Sequence, residues 1–167
     1  MKRLITSLML LVAFMFTASA QQAHWITADE QTVNERNVWI EFKKDFDLKK
    51  SPKSVLAKIA ADSKYWLWIN GECAVFEGGL KRGPNKNDSY YDVVDLAPYL
   101  KKGENSICAL VWYWDNETSY SYSGSGQGGF LFEAEGKDIT IISDKSWKVK
   151  RNSAYVDSAL YPPNYRL

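Results

Sequence analysis

The chain has 167 residues, of which 46% are hydrophobic, 25% charged and 14% aromatic, and this length predicts a single domain. Its 7 Trp, 10 Tyr and 7 Phe exclude a disordered chain, which would lack the apolar surface needed to offset chain entropy. The 21 basic and 20 acidic residues nearly cancel, which argues against a nucleic acid as partner. A single histidine, His24, argues against a histidine-rich zinc site or a His-dependent catalytic triad.

The first 20 residues have the pattern of a secretory signal peptide. A basic start at Lys2 and Arg3 is followed by an apolar run at 4–18, and small residues at 18–20 predict cleavage after Ala20. The apolar run is shorter than the roughly 20 residues that a membrane-spanning helix needs. We therefore expect a periplasmic or extracellular protein with no membrane span after cleavage. The expected division is a signal peptide at 1–20, a folded domain at 21–160 and a truncated linker or tail at 161–167.

Apolar and polar residues alternate in short segments along the rest of the chain, as in strands that bury one face. The dipeptide Asn70-Gly71 is a hairpin signal, because both residues tolerate the positive φ of a type I′ turn. One short helical turn is expected at 95–100. Short strands separated by turn signals predict an all-β fold, an antiparallel jelly-roll β-sandwich. The predicted strands are residues 38–48, 57–61, 65–69, 72–76, 89–94, 107–114, 130–134, 139–142 and 147–149.

The predicted strand at 106–114 is apolar on both of its faces. One side carries Ile107, Ala109, Val111 and Tyr113, and the other carries Cys108, Leu110, Trp112 and Trp114. The outer face of a plain two-sheet sandwich is polar. We therefore expect a loop, a second domain or a ligand to cover this outer face, with extra core under loops explaining most of the rings.

The two cysteines, Cys73 and Cys108, leave two alternatives open. They could form a disulfide in an oxidising compartment. Their apolar neighbours fit two buried free thiols equally well, and spacing alone does not show that the two Cα atoms approach each other.

Two clusters of residues suit the recognition of a sugar, whose C–H patches pack on aromatic rings while its hydroxyls bond to planar polar groups. The second cluster could instead supply oxygen ligands to Ca²⁺, although its spacing is unlike that of an EF-hand. In the alternative interpretation, Asn and Asp simply shape turns. The first cluster is Trp112, Trp114, Asp115, Asn116 and Tyr120, and the second is Asn85, Asn87 and Asp88.

Residues 124–129, with the sequence GSGQGG, match a dinucleotide-binding pattern only formally. The pattern requires a helix after the glycines within a βαβ unit, and here a predicted strand follows. We therefore expect a flexible loop at this position.

Three segments resemble the N-terminal domain of bacterial α-L-rhamnosidases: IAADSKYWLWING at 59–71, FEGGLKRGPN at 76–85 and DVVDLAPYLKKGEN at 92–105. The resemblance extends from about residue 25 to the end of the chain. It implies a jelly-roll β-sandwich of the galactose-binding-like type, placed ahead of further β domains and an (α/α)₆ catalytic barrel. The catalytic acids of the family lie downstream of this region, so the resemblance assigns no catalytic residue here.

We therefore expect an exported, non-catalytic accessory domain, either a truncated or split gene product or a stand-alone module. It would recognise rhamnose-containing carbohydrate or dock to a downstream catalytic domain. The resemblance also makes Ca²⁺ a candidate cofactor, because some related domains bind L-rhamnose with this ion. One alternative is an active domain that hydrolyses terminal α-L-rhamnosides. Another is a structural remnant whose exposed apolar patch would cause self-association.

Overall fold

The computed structural model describes residues 22–28, 35, 37–79, 88–114 and 125–155, which build two antiparallel β-sheets. The five-stranded sheet has the order β4-β3-β6-β1-β9, and the four-stranded sheet has the order β5-β2-β7-β8. The predicted antiparallel jelly-roll sandwich is confirmed. Its strands are β1 (Val38–Leu48), β2 (Val55–Ala61), β3 (Lys64–Ile69), β4 (Glu72–Gly79), β5 (Asp92–Asp95), β6 (Gly103–Tyr113), β7 (Phe130–Gly136), β8 (Ile139–Ile142) and β9 (Lys148–Arg151).

The strand boundaries differ most from the sequence prediction at β5 and β6. Strand β5 begins at Asp92 rather than at residue 89, and the Asp92 carboxylate accepts hydrogen bonds from the Tyr65 hydroxyl (3.0 Å) and the Gly79 N–H (2.9 Å). Strand β6 begins at Gly103 rather than at residue 107, because the polar residues before Ile107 continue the ladder against β1. The predicted helical turn is a 3₁₀ helix at Ala97–Tyr99.

The core lies between the two sheets and is formed by the inward residues of each strand. The Phe130 ring of β7 lies 5.2 Å from the Phe42 ring of β1 and 5.7 Å from the ring of Trp147, the residue before β9. Aromatic contacts therefore connect the two sheets. Each large apolar side chain that is fully buried in this way stabilises the fold by about 1.5–3 kcal/mol. The fully buried large side chains are Ile40, Phe42, Ile59, Tyr65, Leu67, Ile69, Leu96, Ile107, Tyr113, Phe130 and Phe132.

The hairpin between β3 and β4 turns at Asn70-Gly71, as predicted, with φ angles of 54° and 85°. The Asn70 side chain also holds the neighbouring strand. Its amide nitrogen donates to the carbonyl of Tyr99 (2.9 Å) and to Oδ1 of Asn105 (2.9 Å), and its oxygen accepts from the N–H of Ser106 (3.0 Å). The turn therefore fixes the register of β3 against β6, which decides the side chains that each strand turns outward.

Asp62, which is fully buried between β2 and β3, anchors the glycine-rich segment. Its carboxylate accepts hydrogen bonds from the N–H groups of Ser125 (3.0 Å), Gln127 (3.2 Å) and Gly129 (2.7 Å) and from the Ser125 hydroxyl. Within 125–129 the chain is thus tied down rather than being a flexible loop. This contact fixes the point at which the chain enters β7.

Cys73 and Cys108 are free thiols. Cys73 pairs with Trp68 from β4, and Cys108 pairs with the same residue from β6. Two strand spacings therefore separate the cysteines, roughly 9.5 Å, whereas a disulfide needs Cα atoms within about 7 Å. In place of the disulfide that the sequence left open, the fold has one exposed thiol at Cys73 and one half-buried thiol at Cys108.

The expected signal peptide at 1–20 and the expected tail at 161–167 lie outside the described residues and stay predictions. Among the helices in the described part of the chain, none has the length and apolar character needed to cross a membrane.

We expect Asp62→Ala to lower the free energy of unfolding by about 3 kcal/mol, because backbone donors, including the buried Gly129 N–H, lose their acceptor. Urea unfolding followed by tryptophan fluorescence measures this change. Asp138→Ala is the control, since Asp138 is half-exposed and its one ion pair with a described residue is a surface pair with Lys50 (2.6 Å), which stabilises by about 0–1 kcal/mol. Equal losses in the two variants would contradict the anchoring role of Asp62.

Candidate functional site

The outer face of the five-stranded sheet carries a cluster of indole rings. Strand alternation turns Trp39 of β1, Trp66 and Trp68 of β3, and Trp112 of β6 toward this side, and we call these four residues the tryptophan face. Three of them are half-buried, and Trp112 is 9% exposed. The predicted strand with two apolar faces is thus confirmed in β6.

Stacking fixes the positions of these rings. The Trp39 ring lies 4.8 Å from the Trp112 ring at an interplanar angle of 8°, and 5.6 Å from the Trp66 ring at 19°. Tyr155 also stacks on Trp39, with ring centroids 4.1 Å apart. Each such pair stabilises by about 0.5–1.5 kcal/mol in addition to the free energy of burying its apolar area. The stacking contacts therefore hold the rings of the tryptophan face in fixed positions.

A buried cation lies within the tryptophan face. Lys64 is only 3% exposed, and its Nζ lies 2.7 Å from Oε1 of Glu77. The same atom lies 5.4 Å from the centroid of the Trp66 ring and 5.9 Å from that of Trp112, within the range of cation–π contacts. Glu77 adopts a φ of 60°, a left-handed conformation that costs a residue with a side chain roughly 1–2 kcal/mol. The Glu77 carboxylate and the two indole rings offset the desolvation cost of burying the Lys64 ammonium group.

A groove of about 500 Å³ opens on the same outer face, next to the tryptophan face. We call it the outer groove. Its floor is apolar, from Cys108 and Leu110 of β6, and Trp68 of β3 stands at one side. Its volume lies in the range of small-molecule sites, about 300–1,000 Å³. The polar side chains that line it are Glu41, Lys43, Lys148, Lys150 and Asn152.

The strand register explains why these residues meet. Trp68, Cys108, Lys43 and Lys148 are partners in one row across β3, β6, β1 and β9. In the adjacent row on the same face, Glu41 of β1 pairs with Leu110 of β6 and with Lys150 of β9. One half of the groove is therefore apolar and aromatic, and the other half is charged.

Ion pairs order the charged half of the outer groove. Nζ of Lys43 lies 3.1 Å from Oδ1 of Asp45, and Nζ of Lys148 lies 3.5 Å from Oδ2 of the same residue. Glu41 accepts a hydrogen bond from the amide of Asn152 (2.7 Å) and lies 3.0 Å from Nζ of Lys150. The hydrogen bond from Lys43 lowers the pKa of Asp45 and raises the pKa of Lys43, so both groups are charged at neutral pH.

A larger open cleft of about 1030 Å³ lies at one end of the sandwich, between the β1–β2 and β7–β8 connections. Among the described residues that line it, none is aromatic. A sugar ring would find no stacking surface there, so we take the outer groove as the candidate site.

The first predicted cluster lies only partly in the described chain. Trp112 donates from Nε1 to Oδ1 of Asn37 (2.7 Å) and is stacked on Trp39, so little of its ring is open to a ligand. Trp114 is 7% exposed, and its ring meets Trp112 edge-on at 5.7 Å. The ligand roles of both tryptophans stay predictions. The rest of this cluster, Asp115, Asn116 and Tyr120, lies outside the described residues.

The second predicted cluster is described only at Asp88, which is exposed. Asn85 and Asn87 lie outside the described residues, so neither a sugar role nor a Ca²⁺ role is tested for this loop. Across the parts of the chain that the structure describes, no group of three or more His, Cys, Asp or Glu residues is arranged to hold a metal ion.

Sequence reasoning missed the residues of the outer groove. Alternation at 65–69 already placed Trp66 and Trp68 on one side of a strand, which was the available signal. Local pattern does not reveal that β1 lies between β6 and β9. The meeting of Glu41, Lys148 and Lys150 therefore required the sheet order.

Comparison with solved structures places this fold beside known domains. The GH78 family rhamnosidase of Bacillus sp. GL1 is 30% identical with a TM-score of 0.64, over 78% of this chain and 13% of that chain. The Streptomyces avermitilis α-L-rhamnosidase, solved with L-rhamnose, is 16% identical with a TM-score of 0.56, over 83% of this chain and 14% of that chain. The lectin of Pleurotus ostreatus, solved with GalNAc, is 15% identical with a TM-score of 0.54, over 76% of this chain and 35% of that chain.

The predicted resemblance to the β-sandwich domain of α-L-rhamnosidases is confirmed, and the similarity to the lectin shows a shared fold. This chain spans only 13–17% of the length of the rhamnosidases that it matches. No protein-family pattern matches the chain, and no curated protein matches it either.

We expect the Asp45 carboxyl to titrate below its ordinary value of 3.8, as followed by carbon-detected NMR. The hydrogen bond with Lys43 lowers this pKa, so the stabilising contribution of the ion pair is present above the ordinary pKa and is lost as pH falls through the lowered one. Lys43→Gln should move the midpoint back up, whereas Lys150→Gln, which leaves both partners of Asp45 in place, should not. An unchanged midpoint in Lys43→Gln would disprove the assigned cause.

Proposed function

We propose that this chain, which resembles one β-sandwich domain of α-L-rhamnosidases, is an exported, non-catalytic domain that binds carbohydrate in the outer groove. The observation that carries the proposal is the position of Trp68 beside a groove whose opposite side presents Glu41 and Asn152. An indole ring packs against the apolar C–H face of a pyranose, while carboxylate and amide groups bond to its hydroxyls.

The outer groove offers both kinds of contact in one place. Trp68 is half-buried, which holds the ring while leaving part of its surface accessible. The Glu41 carboxylate can accept about four hydrogen bonds, and the groove contacts from Asn152 and Lys150 account for two of them. The remaining acceptor capacity suits the hydroxyl groups of a sugar.

The single carboxylate among the described residues that line the groove favours binding over hydrolysis. Glycosidases use a pair of Asp or Glu residues that flank the scissile bond. Among the described residues that line the outer groove, Glu41 is the only acid, and it is already engaged by a lysine and an amide.

The expected ligands are rhamnose-containing glycans. The support is the 30% identity with a rhamnosidase over 78% of this chain, together with the sugars with which two similar structures were solved, L-rhamnose and GalNAc. Export to the periplasm or the extracellular space rests on the signal-peptide pattern of residues 1–20, which ends at Ala20.

A second candidate function is docking to a catalytic domain through the tryptophan face. The half-exposed rings of Trp39 and Trp66 favour it, because apolar patches with a polar rim are typical of interfaces. In this case Trp66→Ser would release the chain from a separately produced catalytic domain in analytical ultracentrifugation and leave sugar binding intact.

We expect Trp68→Ala to weaken the binding of rhamnose-containing oligosaccharides by up to about ten-fold, since a lost stacking contact costs about 0.5–1.5 kcal/mol. Isothermal titration calorimetry on the full chain measures the affinity. Phe76→Ala is the control, because Phe76 is 76% exposed on β4 and does not line the groove.

Two results would contradict the proposal. The first is the absence of binding heat for rhamnose, its oligosaccharides and GalNAc. The second is release of nitrophenol from an aryl α-L-rhamnoside that disappears in Glu41→Gln, which would establish a glycosidase.

A further inference from the structure

We infer that the saccharide bound in the outer groove carries a carboxylate, so that the ligand class is a uronic-acid-containing oligosaccharide. This inference rests on the proposed function and narrows it. It starts from the charge of the groove, whose described lining holds three lysines, Lys43, Lys148 and Lys150, and one acid, Glu41. With Asp45, which pairs with Lys43 and Lys148, the cluster still has one positive charge in excess.

The lysines of β9 are accessible to a ligand. The side chain of Lys148 is 78% exposed and that of Lys150 is 73% exposed. Each ammonium group has three donors, and among the described residues each has one carboxylate partner, Asp45 for Lys148 at 3.5 Å and Glu41 for Lys150 at 3.0 Å. Donors on both side chains are therefore available to an anionic group that enters the groove.

Asp45 shows how this surface holds a carboxylate. Its two oxygens are shared between Nζ of Lys43 at 3.1 Å and Nζ of Lys148 at 3.5 Å, across neighbouring strands. Lys148 and Lys150 occupy alternate positions on the same face of β9, roughly 7 Å apart along the strand. A ligand carboxylate between Lys148 and Lys150 would contact two ammonium groups, as the Asp45 carboxylate contacts those of Lys43 and Lys148.

The apolar floor of the groove distinguishes Lys148 and Lys150 from lysines on an ordinary exposed surface. Lysines on an edge strand such as β9 also discourage the addition of another strand. That role needs no groove, whereas here the two lysines face Trp68 and Leu110 across it. Trp68 and Lys148 lie three strand spacings apart in one row, roughly 14 Å. An oligosaccharide with one ring on Trp68 would therefore bring the carboxylate of a neighbouring uronic acid residue to β9.

The test is calorimetry on the full chain at low salt with trigalacturonic acid and with its carboxyl-reduced counterpart, trigalactose. These two probes differ only in the carboxylates. We expect the acidic probe to bind about ten-fold more tightly, because a charge-assisted hydrogen bond contributes about 1.5 kcal/mol. Added salt should remove the difference.

The decisive variant is Lys148→Gln with Lys150→Gln, which should bring the acidic probe to the affinity of the neutral one. The matched control removes the same charge elsewhere, at Lys58 on the outer face of the four-stranded sheet and at Lys101 in the loop before β6, as Lys58→Gln with Lys101→Gln. This control should keep the preference for the acidic probe. Sedimentation velocity on both variants checks that neither has aggregated through the β9 edge.

Each contrary outcome has one meaning. Equal affinity for the two probes overturns the acidic ligand and leaves carbohydrate binding intact, whereas no binding of either probe, of rhamnose or of its oligosaccharides overturns both proposals. Equal loss in the two double variants shows a general charge effect and overturns the site. Equally tight binding of sulfated trigalactose overturns the assignment to a carboxylate.

Discussion

The register of β3, β6 and β1 is the constraint on which the outer face depends. Lys64, Trp112 and Trp39 are partners in one row across these three strands. A slip of one residue would turn the whole set to the opposite face of the sheet. The core would then receive Lys64, and the outer face would receive the core residues of β3. Two features prevent this shift in register: the hydrogen bonds of Asn70 to the residues before and within β6, and the large side chains that β3 buries in the core.

The outer face is stabilised by contacts of its own. A sandwich of this size is held by the core between its sheets, and a solvent-facing side needs only polar residues. Here the outward rings stack in parallel, and a buried lysine is compensated by Glu77 and two indoles. Surface built in this way is rigid and partly apolar, which lowers the entropy lost when a ligand is bound.

The fold could be predicted in most of its strands, and the site only in part. Alternation located β1, the hairpin at Asn70-Gly71 and the two-faced β6 because these are local properties of the chain. The start of β6 was missed because Asn105 is polar and yet buried, with its amide bonded to the carbonyls of Lys101 (2.7 Å) and Gly103 (2.8 Å). The outer groove depends on the sheet order, which joins β9 to β1 over more than a hundred positions of sequence.

The near-parallel stack of Trp39 on Trp112, 4.8 Å apart at 8°, has an optical consequence. Indoles held so close share their excited states, so light absorbed by one ring is delocalised over its neighbour and circular dichroism in the near ultraviolet becomes sensitive to their mutual angle. The cationic Nζ of Lys64 lies 5.9 Å from the centroid of the Trp112 ring and adds an electric field at the pair. The stacked pair is thus an intrinsic spectroscopic reporter beside the outer groove. A ligand that disturbs the stack would change the near-ultraviolet circular dichroism of the domain without any added dye.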